Sequence, residues 1–569
     1  MLAADNSSPR AFWRRGLSGF ADLAAASHAR AAAVLVAFCL LAFLPGALRI
    51  PPIDRDEARF AQATKQMVET GDYVDIRYQD EVRYKKPVGI YWLQAAVVQT
   101  ADALGVDDAA HRIALYRVPS LLGATGGVLL TYWTALAFIS RRAAFLAATM
   151  LAASILLGIE ARLAKTDAVL FMTVIAAMGA MARLYLGAAT SAVQQRWVLP
   201  AILWTAIAGG VLVKGPLILM IVGVTALALA VWDRSWRWLL ALRPVLGLVW
   251  VTLLATPWFA AIVMRSGDAF LSQSVGGDLL SKITSGQESH GAPPGYYLLL
   301  FFATFWPASI FSGLAAPAIW HDRHQAPTRF LLAWLVPCWI IFELVMTKLP
   351  HYVLPLYPAI AILIAGRILP PDLSRNVWLQ RGTLWWFVVP LVIGIGGIVG
   401  LAVIGGKLGG LAGLLAGAAI IFGFRAWWLY DADGPERALL RACVASVLLG
   451  AAVYARLVPF VPNLFPSAAL AQAVHAARCE HPVAAAAGYH EPSLVFLVGT
   501  STLLTDGAGA ADFLLQGGCR FALVETRHQR AFAQRAEAIG LRYRPAGRVE
   551  GVNISGGKAI AIAIFQTGE

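Results

Sequence analysis

Charge is scarce in this chain. Only 14% of its 569 residues are Asp, Glu, Lys or Arg, where a soluble domain carries about 25%. Apolar residues make up 59% and the mean hydropathy is +0.65. At this length so few polar groups could not cover the surface of a water-soluble enzyme, which excludes that class. The five cysteines are too few for a disulfide scaffold. The apolar content excludes disorder, and a collagen-like fibre is excluded as well. No internal repeat is present, and no low-complexity tract beyond Ala/Leu/Gly-rich runs. What remains is a polytopic membrane protein. Acidic residues are the scarcer of the two signs, 33 against 46 Lys and Arg, for a net charge of +13. In a soluble protein that balance would suggest nucleic acid. Here the basic excess of cytoplasmic loops accounts for it, and no nucleic-acid partner is expected.

A bilayer-crossing helix needs about 20 mostly apolar residues, and the sequence holds about 13 such segments. They run near 31–50, 113–138, 143–159, 166–186, 198–213, 215–232, 244–263, 295–320, 329–346, 352–368, 383–404, 408–429 and 439–458. Residues 1–30 are polar and basic, with Arg10, Arg14, Arg15 and Arg30, and read as a cytoplasmic segment and not a cleavable signal peptide. With the N-terminus inside, every inward loop is arginine-rich: Arg141 and Arg142, Arg183 and Arg196, Arg234, Arg237 and Arg243, Arg323 and Arg329, Arg375 and Arg381, Arg425, Arg437 and Arg441. That is the positive-inside pattern. An odd number of spans then places residues 459–569 outside, in the periplasm of a Gram-negative cell whose inner membrane holds residues 31–458.

Residues from about 460 onward change character. Short β-like runs (Pro482–Ala487, Arg520–Val524, Ala559–Phe565) alternate with helix-like runs (Glu491–Val498, Gln529–Ile539), which predicts a small α/β domain. Cys39, Cys338 and Cys443 fall in spans as apolar filler. Cys479 and Cys519 fall in the outer domain, where a disulfide is permitted but not dictated.

The outward basic residues break the topology rule. They include Arg55, Arg59, Arg77, Arg83, Lys85, Lys86, Arg162, Lys165, Lys214, Arg265, Lys282 and Lys348. The least membrane-like stretch, 51–112, opens with Asp54, Asp56 and Glu57 directly after the first span. Helical spacing over 57–70 predicts an amphipathic helix on the membrane surface, followed by Arg83, Tyr84, Lys85, Lys86 and Pro87 and a second amphipathic run, Val88–Val98. Further outer loops carry Glu160, Arg162, Lys165 and Asp167, then Lys214, then a long loop at 264–294 with Asp278, Lys282, Glu288, His290, Tyr296 and Tyr297. The turn before 352 carries Lys348, His351 and Tyr352. A carboxylate at the start of a span, such as Asp167, is costly unless used, although capping of a helix is the plainer role. Lysines and arginines suit a phosphate, and a carboxylate suits a hydroxyl nucleophile as general base. One outer face therefore carries the chemistry of an anionic lipid-linked donor.

The segments DEARFAQATKQMVETGDYV, RYKKPVGIYW, VKGP, APPGYY and TKLPHYVLPLYP resemble the lipid-A aminoarabinose transferases. More broadly they resemble the polyprenyl-phosphate-dependent GT-C glycosyltransferases, which include the protein O-mannosyltransferases. The resemblance implies an α-helical polytopic GT-C fold with a small C-terminal α/β extracytoplasmic domain. It also implies transfer of a sugar, with inversion, from a polyprenyl-phosphate donor to lipid A or lipopolysaccharide core, by a monomer. By that resemblance Asp56 is the catalytic carboxylate and Asp167 a second acid, with Asp54 as an additional candidate. Lys86 contacts the donor phosphate, joined by Lys85, Arg83, Arg59, Lys214, Lys282 and Lys348. Glu57, Tyr84, Tyr296, Tyr297, His351 and Tyr352 line the substrate. The aminoarabinose enzymes read Tyr-Phe-Glu-Lys-Pro where this chain, one residue shorter, reads Tyr84-Lys85-Lys86-Pro87. That Glu is associated with a metal site in the family, so a divalent metal is left open here without support, and no cofactor is assigned. Two other readings stay open: protein O-glycosylation within the same superfamily, and a flippase for a lipid-linked saccharide. A flippase would carry its polar residues near the midplane, not at one face.

Overall fold

The computed structural model describes residues 19–188, 197–274, 291–403, 410–477, 479 and 481–568. Among these, eight helices are long and apolar enough to cross a bilayer: Ile113–Ala135, Asp167–Gly187, Pro244–Ser266, Ala326–Leu344, Pro350–Ile368, Val377–Val403, Gly410–Trp428 and Pro435–Phe460. The pair Tyr296–Thr304 and Ser309–His321, bent by 117°, makes a ninth if it is one span. Pro307 stands in that break and supplies no backbone N–H to carry the helix through. The remaining predicted spans coincide with shorter helices: His28–Phe43, Val198–Lys214, Leu217–Trp232 and the interrupted run Arg141–Ala153 and Ile155–Glu160. The chain is a multi-pass membrane protein. The helix Pro244–Ser266 shows how: only 22% of its apolar window is buried, and Val245, Leu246, Leu248, Val249 and Leu253 face outward.

The helix Asp167–Ala188 lies at the centre, packed on Ile113–Ala135 and Val198–Lys214. Small residues make the approach close. A Cβ at Gly123 would sit 2.8 Å from the backbone of Ala168, and one at Gly127 would collide with the Phe171 ring at 2.3 Å. Lipid gives helices little hydrophobic reason to associate, so such close backbone packing carries the contact.

Beside the C-terminal domain, helices Asp56–Thr70 and Gly89–Ala103 flank a small hairpin, β1 (Arg77–Tyr78) with β2 (Glu81–Val82). Both helices were expected, but the first does not lie on a membrane surface. It is sandwiched between Gly89–Ala103 and the outer domain, which buries Gln62, Thr64 and Lys65 along with its apolar residues. Their donors find partners sideways: Thr64 Oγ1 donates to Gln94 Oε1 (2.7 Å), Gln62 Nε2 to Thr500 Oγ1 (2.8 Å) and Lys65 Nζ to Phe496 O (3.1 Å).

The C-terminal domain, called outer after its expected side, holds a five-stranded sheet formed by β3 (Val483–Ala487), β4 (Leu503–Thr505), β5 (Arg520–Glu525), β6 (Tyr543–Asn553) and β7 (Lys558–Thr567), in the order β4-β3-β5-β7-β6. β3 runs parallel to β4 and β5, whereas β7 pairs antiparallel with β5 and β6. Strand alternation divides the core. Ala484 and Ala486 pack with Leu470, Val474 and Leu494 on one face, and Ala485 and Ala487 with Leu514, Phe532 and Ala536 on the other. Cys479 and Cys519 form a disulfide with Cα atoms 5.8 Å apart.

Candidate active site

The helix Asp56–Thr70 starts immediately after Arg55, a non-glycine residue with φ of +70°. Such a conformation is costly and persists where surrounding contacts enforce it. Here the Arg55 guanidinium donates to Ser555 O at 2.6 Å. Asp56 is exposed, and among the described residues its carboxylate makes no hydrogen bond or ion pair. Its neighbour Glu57, one helical step away, is buried. The Glu57 carboxylate accepts from Arg117 Nε (2.8 Å) and Nη2 (2.9 Å), from Ile53 N (2.9 Å) and from Ala164 N (2.9 Å). Arg117 also donates to Ala47 O, Ile50 O and Pro51 O. This pair ties together the chain leaving the first helix, the start of the Asp56 helix and the loop at 164.

That loop carries the second half of the site. Lys165 Nζ lies 3.0 Å from Glu160 Oε2 and 3.4 Å from Asp167 Oδ2, and Lys214 pairs with Asp167 Oδ1. His351 sits between the acids, Nδ1 at 3.6 Å from Glu160 and Nε2 at 3.5 Å from Asp167, and 3.3 Å from Lys165 Nζ. Lys214 lies over the Tyr352 ring at 5.3 Å. Glu160, Lys165 and Asp167 are all buried. Two ammonium groups balance two carboxylates in a low-dielectric setting where an unbalanced charge would be prohibitive. Asp56 is within electrostatic reach of Lys165 and of Tyr91.

Glu160, Asp167 and His351 present ligand atoms within 4.8 Å of one another, the donor set a divalent cation needs. The two lysines already neutralise those carboxylates and would repel a dication, so the residues do not fit a resident metal.

Other predicted residues are placed elsewhere. Asp54 Oδ1 accepts from Ser493 N at 3.0 Å and so anchors the outer domain. Glu57, expected at the substrate, is consumed by Arg117. Tyr84 is buried, donates to Asp75 Oδ1 (2.7 Å) and packs on Phe270, which makes it a fastener of the first outer loop. Lys348 Nζ donates to Glu343 O (2.9 Å) and Val345 O (2.6 Å) and closes the end of helix Ala326–Leu344. Tyr297 is buried, with its ring on Tyr296. Arg83 lies over Phe60 at 5.2 Å, beside Tyr91. Lys86 Nζ reaches Lys85 O at 3.0 Å, while Arg59 is half-buried near Asp54. Lys282, with Asp278, Glu288 and His290, lies outside the described residues. Arg117 escaped the sequence reading. Its signal was a lone arginine within the otherwise apolar span after 113, where a charge needs a partner.

No protein-family model matches the chain. It is 29% identical over 341 residues to the undecaprenyl phosphate-alpha-4-amino-4-deoxy-L-arabinose arabinosyl transferase of Pectobacterium carotovorum, covering 59% of this chain and 58% of that protein. It is 29% identical over 383 residues to the enzyme of the same name from Pectobacterium atrosepticum, covering 65% of this chain and 64% of that one. The match thus spans less than two thirds of either relative. The crystal structure of ArnT from Cupriavidus metallidurans bound to undecaprenyl phosphate superposes with a TM-score of 0.71 at 18% identity, over 93% of this chain and 97% of that one. The chain resembles these transferases and has the ArnT fold. That likeness covers the outer sheet as well as the helices, in agreement with the GT-C architecture expected from the motifs.

Proposed function

We propose that this protein is an inverting glycosyltransferase of the inner membrane, moving a sugar from a polyprenyl-phosphate donor to lipid A or lipopolysaccharide core at the periplasmic face. The N-terminus is then cytoplasmic and the outer domain periplasmic. The observation that carries the reading is the exposed Asp56 carboxylate, unengaged among the described residues and within electrostatic reach of Lys165 in the Glu160–Lys165–Asp167–Lys214–His351 cluster. In this reading Asp56 accepts the proton of the acceptor hydroxyl as that oxygen attacks the anomeric carbon. The glycosidic bond to phosphate breaks on the opposite face, and the polyprenyl phosphate departs with the electron pair. In this reading Lys86, Lys85, Arg83 and Arg59, the basic group that follows Asp56 in the same loop, stabilise the charge on the leaving phosphate. Asp167 holds Lys214, and through it the Tyr352 side of the site, in position.

Purified protein in detergent, given radiolabelled polyprenyl-phosphate sugars and lipid A, should move label into the glycolipid fraction. Asp56→Asn should reduce turnover about 10²–10⁴-fold while eluting as the parent does on size exclusion. Near-parental turnover in that variant removes the assignment. Movement of the donor across vesicles without bond cleavage replaces the enzyme by a flippase.

A further inference from the structure

Arg162 is one of the outer basic residues that topology leaves unexplained, and the proposed reaction does not use it. It is 4% exposed. Its guanidinium lies over the Tyr454 ring with Cζ 4.1 Å from the centroid. Nε donates to Pro45 O at 2.8 Å, and the two terminal nitrogens bond the carbonyl oxygens of Gly158 and Ala42. Every nitrogen is thereby oriented, yet every acceptor is neutral, and no Asp or Glu among the described residues pairs with it. Three other cations are balanced by carboxylates: Arg117 by Glu57, Lys165 by Glu160, Lys214 by Asp167. Arg162 and Lys348 are instead held by backbone carbonyls, and a buried cation without a counter-charge is expensive.

Beside the guanidinium lies a cavity of about 90 Å³. Its walls include the small residues Ala153, Gly158 and Gly450, and of its hydroxyl-bearing residues Ser154, Ser446 and Tyr454, the two serines already donate to Leu151 O and Ala153 O. The wall formed by Ala451–Leu457 is a stretch of π-helix, a widened turn that often marks a ligand site. Ile393, which also lines it, is 36% exposed on the helix Val377–Val403. Arg162 bonds Ala42 O and Pro45 O at the end of the helix His28–Phe43.

We infer that Arg162 and this cavity form a second lipid subsite, which takes the phosphate of an outer-leaflet lipid and lets its chain leave past Ile393. The missing counter-charge is then the lipid phosphate. Two sources share that chemistry, a structural phospholipid and a phosphate-bearing acceptor lipid.

The test uses full-length protein in vesicles containing a photoactivatable phosphatidylglycerol, with cross-links mapped by mass spectrometry. Labelling is expected near 446–454, with at least a tenfold loss in Arg162→Gln and in Ile393→Trp, which narrows the cavity without touching the arginine. Arg162→Lys should restore part of it. Asp56→Asn should label as the parent does, so that failure of the subsite is distinguishable from failure of the proposed reaction. Competition by unlabelled phosphatidylglycerol alone assigns a structural phospholipid; competition by lipid A at lower mole fraction assigns the acceptor. Equal labelling by a neutral diacylglycerol probe, or unchanged labelling in Arg162→Gln, overturns the inference.

Discussion

Two adjacent acids, Asp56 and Glu57, have opposite fates. Neighbours on a helix point about 100° apart, so a helix with one buried face can offer only one of them to solvent. The sequence shows the acidic pair and its place after the first span, but the side that is buried depends on where Arg117 arrives, 60 residues later. Arg117→Met leaves the Glu57 carboxylate buried without its cation, and removing one partner of such a pair typically costs about 3–5 kcal/mol. Thermal unfolding in detergent should show that loss as a large fall in Tm, and Glu57→Gln, which leaves Arg117 without its anion and keeps an acceptor for only one of Ile53 and Ala164, should fall comparably. Equal Tm for Arg117→Met and the parent would mean that the pair holds nothing together. The motif residues Lys214, His351 and Asp167 were legible as outer-face chemistry. Their convergence with Glu160 and Lys165 was not, because it depends on helices far apart in sequence.

Helix Asp56–Thr70 was read correctly as a helix and incorrectly as a surface one. Periodicity identifies an apolar face, but it gives no sign of a second partner that satisfies polar residues by hydrogen bonds, as Thr500 and Phe496 do for Gln62 and Lys65. Asp54 at the same junction has a pH consequence. Burial, with Glu491 nearby and despite the hydrogen bond from Ser493 and the charge of Arg59, raises its carboxyl from 3.8 to about 6. The folded protein thus keeps a proton that the unfolded chain releases near pH 4. The stabilisation is complete below that pH and is lost as pH rises through about 6. Asp54→Asn should therefore raise Tm at pH 7.5 and lose that advantage by pH 4; a pH-independent difference would contradict the account. Within the outer domain, the Cys479–Cys519 bridge closes a separation of 40 residues. Reduction should cost that domain about 2–4 kcal/mol, read as earlier proteolysis of β3 to β5 with the spanning helices intact.

At the scale of the whole molecule, hydropathy located the helices well because lipid imposes one strong rule, that backbone polar groups be satisfied within the segment. It was weaker for short or broken helices such as Ile155–Glu160, which ends on the buried Glu160 paired with Lys165. In the outer domain the sequence reading found β3, β5 and β7 but not β4, β6 or the helix Gly507–Leu515. The exposed pattern of β6 lacks the clean alternation that marks a half-buried strand. The outer sheet has a kinetic consequence. Because it is clamped across the helix that carries Asp56, through Asp54, Arg55, Gln62 and Lys65, that helix is roofed from the aqueous side. The substrates of the proposed reaction then arrive by diffusion within the plane of the bilayer. Turnover should follow the mole fraction of donor in mixed micelles and stay constant when micelles of fixed composition are diluted. The quantity that saturates the protein is a surface density and not a bulk concentration.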